Sequence, residues 1–110
     1  MATFITTGYG DQQGYNRTSS KVRAAAHAHD SKLISLGALT GVAGAPVQVR
    51  NPEGQALETT QGAYMSTDLP IAGFAVLEAD SLEHAIELVS QTPCAVAHGV
   101  VEIWPLELIS

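Results

Sequence analysis

The chain predicts an α+β sandwich, an antiparallel sheet carrying two helices on one face, and three observations predict it. The stretch Leu69–Leu106 reads as strand, capped amphipathic helix, strand. A short β-branched strand followed by a second helical pattern opens the chain, and hairpin-like material lies between the two units. The resulting order is strand, helix, strand or hairpin, strand, helix, strand. That order describes a ferredoxin-like sandwich built as one domain over residues 1–110.

Thr3–Thr7 is β-branched and short, which favours a strand. Gly8–Ser19 is polar and Gly-rich and reads as a loop; its glycines lack dinucleotide-fingerprint spacing. Ser20–Leu36 reads as a helix capped by Ser19 or Ser20 and stopped by Gly37. Leu39–Val42 and Pro46–Arg50 are strand material, Asn51-Pro52-Glu53-Gly54 is a turn, and Gln55–Thr60 pairs back as a hairpin arm. Ile71–Leu77 is an apolar run of strand length. Asp80-Ser81-Leu82-Glu83 predicts a helix start with Asp80 as cap, after which Leu82, Ala85, Ile86 and Val89 form one stripe. Thr92-Pro93 ends that helix. Ala95–Trp104 then alternates, which puts His98, Glu102 and Trp104 on one strand face.

Composition narrows the function classes. At 110 residues the chain is one domain, and such a small two-layer fold often gains from dimerisation. Eleven acidic residues against five Lys and Arg give a net charge of −6 with no basic cluster, which disfavours a nucleic-acid partner. One cysteine permits no internal disulfide, and no apolar run has membrane length. The expectation is a cytoplasmic protein that uses neither membrane nor nucleic acid. The Asn16-Arg17-Thr18 sequon is then a chance match.

The candidate chemistry centres on the first long helix. At about 100° per residue, Val22, Ala26, Leu33 and Leu36 define a buried stripe that contains His29, with Asp30 at its edge and His27 on the far side. An inward histidine either satisfies itself in the core or lines a cavity where its near-neutral titration serves acid–base work. Asp30 is adjacent in sequence and does not face His29 on the same helix, so it orients that histidine only with help from elsewhere. Tyr9, Tyr15 and Arg17 are the contact-capable residues of the polar loop, with Tyr64 in a later irregular stretch; they join His98 and Trp104 as candidate substrate contacts. His98 and Glu102 lie about 13 Å apart along a strand and make no dyad alone. His27 and His29 point to opposite helix sides, so no metal site is expected. Cys94 has no thiolate-stabilising neighbour in the sequence.

The pieces Val47-Gln48-Val49-Arg50, Pro52-Glu53-Gly54, Ile71-Ala72-Gly73-Phe74, Glu78-Ala79-Asp80-Ser81-Leu82 and Gly99-Val100-Val101-Glu102-Ile103-Trp104-Pro105 resemble the YCII-related, or DGPF-domain, proteins of the dimeric α/β-barrel superfamily. The similarity runs from about Leu36 to Leu106. It implies a monomer whose open sheet face pairs with a second copy to form a dimeric α/β barrel, with a pocket beside the sheet. It also implies that a histidine with a nearby Asp acts on a small molecule without a cofactor. His29-Asp30-Ser31-Lys32-Leu33 has the form of the family's helix, so His29 and Asp30 are the expected catalytic residues, with His27 and His98 behind them. Gln61-Gly62-Ala63-Tyr64 stands where the family motif has Asp-Gly-Pro-Phe, and its carboxylate is lost.

Together these readings predict a small lyase, isomerase, dehydrochlorinase or cyclase that acts on a small, aromatic or polyketide-like molecule. The alternatives are a non-catalytic binding or assembly module of the same fold and, third, a cofactor-free monooxygenase.

Overall fold

A computed structural model describes residues 1–109. The elements in order are β1 (Ala2–Tyr9), α1 (Gln12–Arg17), α2 (Ser20–Ser35), β2 (Leu39–Val42), β3 (Val47–Arg50), β4 (Glu58–Gln61), β5 (Ile71–Ala79), α3 (Leu82–Val89), α4 (Pro93–Val96) and β6 (Val100–Leu106). Four strands form one sheet in the order β2-β5-β1-β6, and every neighbouring pair is antiparallel. β5 and β6 both run antiparallel to β1 between them, so α3 makes a crossover between two strands that β1 separates. The chain is therefore α+β with an antiparallel sheet, and its strand order is compatible with the ferredoxin-like arrangement.

Helix α2 is framed as its sequence demands. Ser19 Oγ accepts the Val22 N–H at its start. At its end Gly37 takes φ 105°, and the N–H groups of Gly37 and Ala38 close onto the carbonyls of Ile34 and Leu33. A residue with a Cβ is strained there, which is why glycine stops this helix. Its inward face is centred on Ala26 and Leu33, the two buried residues; Val22 and Leu36, expected inside, are exposed.

Three local expectations are corrected. Ser81, not Asp80, caps α3: its Oγ accepts the His84 N–H at 3.1 Å, while His84 Nδ1 accepts the Asp80 N–H at 3.0 Å. The polar segment after β1 is not all loop, because Asp11 caps α1 by accepting the Gly14 N–H at 2.8 Å. Gly14 is buried where a Cβ would overlap the Ala97 carbonyl oxygen, so this glycine lets α1 close against the turn before β6. Finally, Pro93–Val96 is a helical turn instead of strand. Pro93 stands at its first position, where its missing N–H costs nothing.

The packed core is Phe4, Leu77, Ala79, Ala85 and Val89, where α3 lies against β5 and β6 over Phe4 of β1. Burying a side chain of the size of Phe4 or Leu77 contributes about 1.5–3 kcal/mol. The opposite sheet face carries no helix, and Phe74, Val76, Val100 and Trp104 stand exposed on it. The β3–β4 hairpin forms a separate two-stranded arm, and every residue from 44 to 68 except Gln48 is exposed. This arm stretches the chain to 53 × 37 × 20 Å, with a radius of gyration of 16.0 Å. A compact domain of this length has about 13 Å.

Candidate functional site

Alternation along the strands decides where a cavity opens. The helix-facing positions of β5 are Gly73, Ala75, Leu77 and Ala79, and those of β1 are Phe4, Thr6 and Gly8. Register pairs Leu77 with Phe4, Ala75 with Thr6, and Gly73 with Gly8. The first row is filled by large side chains. The next two are nearly bare, so α2 spans them without touching down. The space left between α2 and the sheet is a cavity of about 500 Å³, closed at one end by Thr92, Pro93 and Cys94. That volume lies in the range of small-molecule sites.

Two ionisable side chains of α2, His27 and Asp30, line this cavity. They are three residues apart and so share a helix face. His27 is exposed at the mouth, where its Nε2 meets the Tyr15 hydroxyl at 2.9 Å. The Tyr15 ring also carries the Arg23 guanidinium, 4.8 Å from its centroid. Asp30 is half-buried. Desolvation raises its carboxyl above the ordinary value, against the lowering influence of His27 and His29. Cys94 is held as a thiol, its titration pushed up by burial and by the Asp30 charge. Its Sγ sits 2.9 Å from where a Cβ on Gly8 would stand, so Gly8 makes room for it.

His29 is placed differently from the helical stripe's expectation. Its Nε2 donates to the Leu88 carbonyl at 2.6 Å, tying α2 to α3, and it does not line the cavity. The reason is the shift of the inward face toward Ala26 and Leu33, which carries His29 to the α3 flank and brings His27 to the cavity flank. The stripe had misled because Val22 and Leu36, at the helix ends, were counted as core.

The remaining candidates divide between other surfaces. Tyr9 and Trp104 lie on the bare sheet face, where both donate to Glu102 Oε1, at 3.1 and 2.9 Å. Desolvation and the Glu102 carboxylate hold the Tyr9 phenol above its ordinary value. His98 is off the strand altogether: it is exposed in a left-handed turn at φ 63° and does not share a face with Glu102 and Trp104. Arg17 is exposed at the end of α1. Tyr64 is 80% exposed beside a second cavity of about 470 Å³ at the base of the arm, with the Arg50 guanidinium 5.6 Å from its ring centroid. The structure thus brings Tyr15, His27 and Asp30 together and leaves the others apart. The threonines of the cavity are site residues that the sequence does not single out, and Cys94, set aside as a nucleophile, lines the same cavity. The small side chains at alternate positions of β1 and β5 were the signal available to find them.

Among the described residues, no helix is long and apolar enough to cross a membrane. No family model matches the chain, and no curated protein matches it.

Proposed function

We propose that the chain is a small cofactor-independent acid–base enzyme of the lyase, isomerase or cyclase type, acting on an organic molecule held between α2 and the sheet. The observation that carries this reading is the pairing of His27 and Asp30 on the wall of a largely apolar 500 Å³ cavity. His27 takes the part that the helical stripe gave to His29. One of the pair removes a proton from a carbon beside a carbonyl, and the other returns a proton to the adjacent oxygen or carbon. Desolvation raises the Asp30 carboxyl above its ordinary value, which makes its ionised form a better proton acceptor. The strand order supports the resemblance to the YCII-related proteins, with Cys94 kept reduced in a cytoplasmic setting.

Deuterium exchange into 2-tetralone in D2O tests the chemistry directly, because it needs only proton removal and return. The wild-type protein should exceed buffer, and His27→Gln should lose about 100-fold. His29→Gln should stay within about threefold of wild type. A wild-type rate equal to buffer sinks the enzyme reading, and loss in His29→Gln alone returns the catalytic role to His29.

The bare sheet face supports a homodimer, the dimeric barrel that the resemblance implies. Phe74, Val76 and Trp104 form an apolar patch there that a second copy would cover. Sedimentation should give a mass of two chains, and Val76→Glu should give a folded monomer. A monomeric wild-type chain removes the dimer from the proposal. The same cavity and face also suit a non-catalytic binding module, which is the reading left standing if exchange fails and the dimer is found.

A further inference from the structure

The cavity differs from an anion site in what it lacks. None of the five Lys and Arg of the chain lines it, and Arg23 of α2 has its guanidinium over the Tyr15 ring. Asp30 is the one carboxylate on its wall, and Cys94 stays a thiol beside it. A carboxylate or phosphate entering this space would lose its hydration, find no cation, and meet Asp30. The rest of the wall is Leu33, Ala75, Leu77, Val89 and Val101, interrupted by the hydroxyls of Thr6, Thr40 and Thr92.

We infer that the cavity selects an uncharged, largely apolar small molecule bearing a hydroxyl or carbonyl group, turned toward Asp30 and the threonine hydroxyls, and rejects carboxylates. This rests on the cavity being the site proposed above, yet it concerns binding alone. The apolar body of such a ligand covers Gly73, Ala75 and Leu77, and its single polar group meets partners able to donate or accept. That match leaves no buried charge unpaired, whereas a carboxylate of the same shape leaves one.

The test compares two ligands of one ring system at pH 8: 2-naphthol and 2-naphthoate. Binding is read by calorimetry and by amide shifts. The expected result is that 2-naphthol binds with shifts centred on Gly73 and Ala75, and that naphthoate binds at least about tenfold more weakly. Asp30→Asn should improve naphthoate by about tenfold relative to naphthol. Ala75→Leu, which fills the space, should abolish naphthol binding. Equal or tighter binding of naphthoate overturns the inference. So does failure of naphthol to bind at millimolar concentration, or shifts confined to the bare sheet face. The two-ligand ranking on the wild-type chain stands even if a variant does not fold. No turnover enters it, so a failed tetralone exchange leaves it intact, and a failed ranking leaves the proton chemistry to be judged on exchange.

Discussion

Helices α2 and α3 cover the same face of the same sheet and do so in opposite ways. Under α3 the strands present Phe4, Leu77 and Ala79, and the helix answers with Ala85 and Val89; Ala79 and Ala85 are wholly buried. Under α2 the strands present Gly8, Gly73 and Ala75, and the helix answers with Leu33 and two ionisable groups across open space. The eight-residue helix therefore anchors the fold, while the sixteen-residue one roofs a cavity. Size alternation along two strands separates these jobs. Tight packing leaves no room for a ligand, and a roof that stands off gives up the dispersion contacts that would hold it. The roof is instead held at its edge, where α2 packs against α4 and His29 donates to the Leu88 carbonyl.

The sharpest way to break this comparison is to add the same side chain on each side. Ala85→Leu forces a larger group into the filled interface of α3, at a cost of about 1–3 kcal/mol in urea unfolding. Ala75→Leu directs the same group into the cavity under α2, where it finds unused volume. Its expected cost is within about 0.5 kcal/mol, while ligand binding is lost. Equal costs for the two variants would mean that α2 is as closely seated as α3 and that the cavity is not a standing feature of the fold.

The anchoring half was more legible in the sequence than the roofing half. β5 and α3 follow from an apolar run, a capping sequence and a proline stop, although Ser81 is the cap and only Ala85 and Val89 of the expected stripe are buried, with Leu82 and Ile86 exposed. The errors arose where local pattern and tertiary contact compete. Ala95–Trp104 alternates like one strand, yet Pro93 after Thr92 starts a helical turn, and His98 must take a left-handed conformation before β6 can begin. α1 was hidden by Gly14, a poor helix former whose reason for being there is its close approach to Ala97 across the fold. The choice between His27 and His29 turns on a rotation of α2 that its sparse apolar residues do not determine. Which of the two reaches the cavity is set by how α2 meets α3 and the sheet, a non-local fact.

A smaller effect sharpens the electrostatic side of the same contrast. Asp30 is the one carboxylate under the roof, and partial burial raises its titration in the folded chain above the ordinary value. A raised carboxylate destabilises the fold when ionised. The penalty is fully present above the folded-state value and fades as pH falls from there toward the unfolded-state value. Asp30→Asn removes the penalty, so the variant should be the more stable one at neutral pH, with the gain shrinking to nothing near pH ~4. Solvent reaches much of the side chain, and allowing for its screening keeps the gain below about 0.5 kcal/mol. Urea midpoints of the two proteins measured across this range give the sign. A variant less stable at neutral pH would mean that the attraction of His27 and His29 outweighs desolvation, and that Asp30 holds the roof down instead of straining it.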